Sequence, residues 1–166
     1  DKNIKIFNGK PLMCWSIQQA LESKFNMKII VSTDSAEYQE LAIKYGAQVP
    51  FLRPQEISGD LSTDFECIKH CLDWLKQNEY IPDIILHLRP TQPCRKVKDI
   101  DKCLEMFIKN YDNYDSLRSV IPFDKSPYKM YKINENKLTP LFKVCNDIME
   151  PYNQCRQVLP TCYLHN

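Results

Sequence analysis

Three arginines, Arg53, Arg89 and Arg95, stand at or just beyond the ends of short apolar runs. A guanidinium is a fixed fork of donors matched to phosphate or carboxylate, so arginines gathered at strand ends would form an anion crevice. The same pattern also suits three unrelated surface arginines. Lys2, Lys5 and Lys10 add positive charge beside a predicted helix N-terminus, itself favourable for anions, although a solvated lysine surface is the plainer reading. Cys67-x-x-His70-Cys71 has the outline of a metal half-site, but no second half follows at zinc spacing and the stretch lies within an amphipathic helix. His87, inside an apolar run, reads as a satisfied core histidine. Nothing further supports a Cys/His nucleophile pair. The chain has no Gly-x-Ser-x-Gly elbow, no His-Glu-x-x-His and no Walker loop. Its three glycines, Gly9, Gly46 and Gly59, form no glycine-rich phosphate cradle.

The elements that must position these residues alternate in type. Pro11, Leu12, Trp15, Ile17 and Leu21 predict a helix over about 11–25 with proline in its first turn. Residues 27–33, with Ile29, Ile30 and Val31, predict a buried strand. Asp34-x-x-Glu37 then resembles a capping box, so a helix cap is the expected role of Asp34. Tyr38, Leu41, Ala42 and Tyr45 continue that helix to a stop at Gly46. Residues 48–53 predict a second strand. After a polar loop, a second box, Thr63-x-x-Glu66, opens a helix carrying Phe65, Ile68, Leu72 and Leu75 on one face. Residues 83–89 are the clearest strand, ending in the proline-rich turn Pro90 to Pro93. Val97, Ile100, Leu104, Phe107 and Ile108 predict another helix, and 116–123 another strand. Tyr128 to Ile133 and Lys137 to Phe142 then read as a hairpin around Asn134-Glu135-Asn136.

Strand–helix–strand alternation implies an α/β fold of three layers (α/β/α), a mostly parallel sheet covered on both faces, with a small β-hairpin extension. In such sheets ligands sit at the carboxyl ends of the strands. Four polar stretches fall there: Ser32-Thr33-Asp34, Arg53 to Thr63, Arg89 to Arg95, and the loop before Tyr128.

Composition narrows the function classes. With 166 residues, 43% hydrophobic and 26% charged, the chain suits one globular domain with a substantial core. Lys+Arg 22 against Asp+Glu 21 leaves no bulk positive field for nucleic acid or an anionic membrane surface. No apolar run approaches the ~18 residues of a membrane span, and no signal-peptide pattern is present. The eight cysteines fall mostly at apolar positions such as Cys71 and Cys103, which fits free thiols in a reduced, cytoplasmic protein. Trp15 and Trp74 read as core.

Several stretches together resemble the acylneuraminate cytidylyltransferase family, the CMP-sialic acid synthetase-like enzymes. Lys2-Asn3-x-Lys5 with Gly9-Lys10-Pro11-Leu12 is similar to the segment after that family's glycine-rich loop. Val31-Ser32-Thr33-Asp34-Ser35 and Tyr45-Gly46-Ala47-Gln48-Val49-Pro50-Phe51-Leu52-Arg53-Pro54 resemble its second strand–helix–strand unit. Glu56-Ile57-Ser58-Gly59-Asp60-Leu61-Ser62 resembles its base-side loop, and Leu88-Arg89-Pro90-Thr91-Gln92-Pro93-x-Arg95 its Leu-Gln-Pro-Thr-Ser-Pro-Leu-Arg motif. Ser126-Pro127-Tyr128-Lys129-Met130 and Arg156-Gln157-Val158-Leu159-Pro160, leading to Asn166, resemble its sugar-side elements. Arg89 and Gln92 depart from the glutamine and serine common in sialic-acid enzymes. That turns the expectation from N-acetylneuraminate toward legionaminic- or pseudaminic-type acids.

The resemblance implies a nucleotide-diphospho-sugar transferase (Rossmann-like) fold and a single nucleotidyltransferase domain over 1–166. It also implies an internal piece of such an enzyme, catalytically incomplete alone, with Asp1 where the glycine-rich loop would be ending. The implied reaction is attack by the anomeric hydroxyl of a nine-carbon sugar acid on the α-phosphorus of CTP, with pyrophosphate leaving. Lys10 and Arg156 would carry the catalytic charge. Asn3, Arg53, Ser62 and Thr63 would face CTP, while Arg89, Lys129, Arg156 and Gln157 would hold the sugar acid. Magnesium is the implied cofactor, with ligands mostly outside this chain and Asp34 or Asp60 as the metal-side candidates. A homodimer is the implied assembly. The rivals are a cytidylyltransferase for another acid such as an octulosonate, a non-catalytic binding module retaining the fold, and, more distantly, a thiol-dependent or zinc enzyme.

Overall fold

Residues 2–123 and 125–165 are described by the computed structural model; Asp1 and Asn166, which bound the resemblance, and Asp124 lie outside them. The chain divides into two compact units between Met106 and Phe107.

In the first unit, a one-turn helix at Lys2–Ile4 leads into a two-residue hairpin, β1 (Ile6–Phe7) against β2 (Lys10–Pro11). Its turn needs left-handed backbone at Asn8 and Gly9 (φ 47° and 84°), which suits both residue types. Helix α1 (Leu12–Leu21) begins directly after Pro11, where a missing N–H costs nothing. Its Met13, Cys14 and Ile17 are buried against Ala42, Ala47 and Val49, which forms the core of this unit. Helix α2 (Ala36–Lys44) is capped by Ser35, whose Oγ accepts the Tyr38 N–H at 3.3 Å. The box expected from Asp34 does not form, because Asp34 pairs with Arg53 instead and the cap moves one residue on. Gly46 (φ 94°) follows the end of α2 in the left-handed region. Helix α3 (Asp64–Gln77) carries the full box: Thr63 accepts from the Glu66 N–H, and the Glu66 carboxylate accepts from the Thr63 N–H at 2.6 Å. Helix α4 (Val97–Lys109) buries Ile100 and Leu104, one helical turn apart.

The mostly parallel sheet expected between these helices is realised in a single parallel bridge, Ile30 with Gln48. The Val31 N–H donates to the Gln48 carbonyl, the Gln48 N–H to that of Ile29, and the Arg53 N–H to that of Thr33. Main-chain groups alternate sides along an extended chain, so those of Lys28, Ile30 and Ser32 point the other way. There they meet a cavity of about 550 Å³, lined by residues 27–34 and 85–90, instead of a strand. Among the described residues, 83–89 join no ladder, and Asp83 is a bend. Ile84, Leu86 and Leu88 are half-buried while Ile85, His87 and Arg89 are exposed. The apolar runs specify extension and burial, but a strand also needs a neighbour to bond.

The second unit is built of short antiparallel pairs. Strand β3 (Val120–Phe123) pairs with β8 (Cys162–His165), so the strand expected at 116–123 is shorter than foreseen and its partner is antiparallel. The hairpin of β4 (Tyr131–Asn134) and β5 (Lys137–Pro140) turns on Glu135 and Asn136, both left-handed at φ 46° and 64°. Those angles match the twist of the paired strands and place Asn134 in β4 rather than in the turn. A smaller hairpin joins β6 (Val144–Cys145) and β7 (Ile148–Met149). Among the described residues of this unit, Cys145, Pro151 and Leu159 are buried.

The Thr63–Glu66 box yields a stability prediction. Thr63→Ala is expected to lower the unfolding free energy by about 1 kcal/mol. The two Thr63 hydrogen bonds, main-chain first, hold the Glu66 carboxyl below its ordinary value. A depressed carboxyl stabilises the fold above its unfolded pKa, and that contribution disappears as pH falls through the lower folded value. Thermal melts of wild type and Glu66→Gln should therefore converge in acid and separate at neutral pH.

Candidate functional site

The first three polar stretches meet at one end of the cavity, where Asp34, Arg53, Asp64 and Arg89 all line it. Arg53 is held on every donor edge. Its Nε donates to Ser58 Oγ at 3.0 Å, one terminal nitrogen to Cys67 Sγ at 3.2 Å, and the other to Asp34 Oδ1 at 3.5 Å. Ser58 can accept because its own hydroxyl donates to the Pro54 carbonyl at 2.8 Å, which closes the turn after Arg53. The Arg53 side chain is 20% exposed, so one side of a preset fork still faces solvent.

Arg89 pairs with Asp64 in the first turn of α3, both about half exposed. Arg95, expected to converge with them, has a different task. It donates to Ser16 Oγ (3.2 Å) and Gln19 Oε1 (2.9 Å) on α1 and to the Arg89 carbonyl. Gln19 in turn donates to the carbonyls of Pro93 and Arg95 at 2.7 and 3.0 Å, so the 89–95 turn is strapped to α1. Burial lowers the Arg95 pKa, as expected of a strut withdrawn from water. Two arginines therefore reach the cavity where the sequence suggested three.

The other expected residues are distributed as follows. Asn3 lines the cavity, and its Oδ1, like the Oγ of Ser32, is buried with no hydrogen-bond partner among the described residues. Lys10 lies over the Trp15 ring at 4.2 Å and donates to Gln18, away from the cavity lining. Ser62 Oγ accepts from the Gly59 N–H at 3.0 Å, and the Thr63 hydroxyl is occupied by the α3 cap. Lys129, Arg156 and Gln157 belong to the second unit, on one-turn helices at Pro127–Lys129 and Arg156–Val158. Tyr128 anchors the first of these: its ring meets Phe142 at 5.2 Å, and a hydrogen bond to Cys145 raises its hydroxyl pKa. Arg156 and Gln157 are exposed.

His87 is exposed at the cavity lining, contrary to the core reading. Part of the ring is still packed, and loss of water is the main cause that lowers its pKa; Asp64 opposes that shift, and Arg89 and Arg95 add to it. The Cys67-x-x-His70-Cys71 half-site does not assemble. Cys67 faces Arg53, His70 stacks edge-on to Phe51 at 4.6 Å, and burial raises the Cys71 pKa. Trp15 and Trp74, read as core, are half-buried. Among the described residues no three carboxylates, histidines or cysteines gather to hold a metal. Asp34 and Asp64 each pair with an arginine, and Asp60 is exposed. Among the described residues no helix is long and apolar enough to cross a membrane.

Sequence reasoning missed Asp64, Ser58 and Cys67 as partners of the two arginines. The one available signal for Asp64 was its place in the first turn after the Thr63 cap. Asp34 and Asp64 compete with an incoming anion for the two arginines. Asp34→Asn is expected to tighten binding of inorganic triphosphate, and Arg53→Ala to weaken it by about tenfold or more, the loss of a charged hydrogen-bond pair. Calorimetric titration of the three proteins checks both directions.

A cytidylyltransferase family model matches residues 1–140. The chain is 31% identical over 141 residues to the pseudaminic acid cytidylyltransferase of Campylobacter jejuni subsp. jejuni serotype O:23/36, covering 85% of this chain and 60% of the relative. It is 36% identical over 105 residues to the CMP-N,N'-diacetyllegionaminic acid synthase of Legionella pneumophila, covering 63% of this chain and 45% of the relative. It is 34% identical over 125 residues to the N-acylneuraminate cytidylyltransferase of Escherichia coli O18:K1:H7, covering 75% and 28%. The chain thus spans at most 60% of the length of these three relatives. A match that runs from the first residue through the Arg53 and Arg89 loops and into the second unit leaves one conclusion: the chain belongs to the cytidylyltransferase family.

Proposed function

We propose that the protein containing this chain transfers CMP from CTP to the anomeric hydroxyl of a nine-carbon, sialic-acid-type sugar acid of the pseudaminic or legionaminic kind. The oxygen–phosphorus bond to the α-phosphorus forms as the α–β bridging bond breaks, the hydroxyl proton is lost, and pyrophosphate leaves. Such a reaction needs fixed positive charge more than a covalent nucleophile. The observation that carries the reading is Arg53, a guanidinium held by three partners at a cavity end with one side open. The names of the relatives supply the substrate class.

In this reading Arg53 and Asn3 face CTP, with the Ser62 and Thr63 turn shaping that side through the α3 cap. Lys10 contributes charge to the phosphates. Arg89, Lys129, Arg156 and Gln157 hold the sugar acid, a guanidinium fork matching its carboxylate, and Arg156 also steadies developing charge. The two units are read as parts of one nucleotidyltransferase domain, acting in the cytoplasm as a homodimer. Magnesium, when bound, would neutralise phosphate charge, and no step here is assigned to it.

The test is calorimetric titration of the full-length protein with CTP, ATP, GTP and UTP in the presence of magnesium, followed by pyrophosphate release with a panel of sugar acids. CTP should bind selectively, and Arg53→Ala should weaken it by about tenfold or more. Turnover should appear with a nine-carbon acid. Selective binding of another nucleotide would reject the cytidine assignment, and binding of none would replace the enzyme with a binding module.

A further inference from the structure

Burial alternates strictly along 84–89: Ile84, Leu86 and Leu88 are half-buried, while Ile85, His87 and Arg89 are exposed. That is the period of a chain whose successive side chains point to opposite sides. The three exposed residues therefore share one side, and all three line the cavity. Along that side the chemistry changes by steps, from an aliphatic group at 85 through an imidazole at 87 to a guanidinium at 89. The guanidinium already holds a carboxylate, that of Asp64 in the first turn of α3. Two residues of such a chain advance about 6.6 Å. This is close to the reach from a carboxyl group across a six-membered sugar ring to the substituent opposite.

The imidazole is the uncharged polar step. The charged groups that act on it are Asp64 from α3 and Arg89 and Arg95 from its own stretch. Loss of water, aided by the two arginines, holds its pKa below the ordinary histidine value against Asp64, so the ring is neutral at neutral pH. A neutral imidazole has one nitrogen that donates and one that accepts. A secondary amide carries the complementary pair, a carbonyl and an N–H. The acyl chain beyond the amide is apolar, as is Ile85, which is 52% exposed. Resting on the proposed reaction, we infer that this strip selects the sugar acid: Arg89 takes the carboxylate, His87 hydrogen-bonds an acylamino group across the ring, and Ile85 receives its acyl chain. An acid with hydrogen in place of that group leaves the imidazole facing the ring without a partner, which is how a site built to bond a polar group rejects an analogue that lacks it.

The test uses the full-length protein with CTP, magnesium and three nine-carbon acids. They differ only at the ring carbon across from the carboxyl-bearing one, which carries acetamido, formamido or hydrogen. Pyrophosphate release gives kcat and KM for each. Wild type should favour the acetamido acid over the hydrogen acid by about tenfold or more in kcat/KM. His87→Leu should erase most of that ratio by raising KM for the acetamido acid, whereas His87→Gln, which retains a donor and an acceptor, should keep most of it. Ile85→Ala should narrow the preference for acetamido over formamido. Thermal melts of the three variants, each at an exposed position, should match wild type. Equal losses for the acetamido and hydrogen acids in His87→Leu, a wild type indifferent to the substituent, or a fall in kcat with KM unchanged would overturn the strip and leave the reaction standing. Absence of pyrophosphate with every acid in wild type would instead reject the reaction, and the strip with it.

Discussion

A main-chain amide or carbonyl withdrawn from water needs a partner, and in the first unit this requirement decides which extended segments become sheet. Residues 29, 31 and 33 meet it on one side through Gln48 and Arg53. The alternate groups of the same segment, and those of 84–88, face a cavity. The helices around that cavity are complete: Ser35 caps α2, Thr63 caps α3, and α1 follows Pro11 without a side-chain cap. Helices close their own ladders and sheets do not, so the same unit has finished helices beside unpaired strands.

Electrostatics at the cavity end follows a related logic. An arginine fork is useful for binding only if it is already aimed, and each of the two here is aimed by a carboxylate from a neighbouring helix start. Arg53 is further limited by Ser58 and Cys67, which leaves its open side in one place. Both ion pairs are at least partly solvated and contribute little to stability, so exchanging a carboxylate for an incoming anion costs little. Arg95 shows the opposite use of the same side chain. Withdrawn from water and spent on a hydroxyl, an amide and a carbonyl, it fixes the turn that carries Arg89.

Much of this was legible in the residues because it is local. The Thr63-x-x-Glu66 box, the amphipathic runs of α1, α3 and α4 and the hairpin near Asn134 need only neighbours within a few positions. The family was legible for another reason: several motifs occur in order along most of the chain, and a family model covers residues 1–140. Asp34-x-x-Glu37 shows where local reading stops. It has the spacing of the box at Thr63, yet Ser35 takes the cap because Arg53, 19 positions away, takes Asp34.

The sequence by itself determined the helices, the Thr63 cap, the polar stretches and the family, since each depends on residue type at short spacing. Only the tertiary structure decided that Arg95 is a strut, that His87 is exposed, that Cys67 attends Arg53 rather than a metal, and that two apolar runs flank a cavity. Those outcomes depend on what lies across from a residue rather than beside it, and periodicity carries no record of that partner.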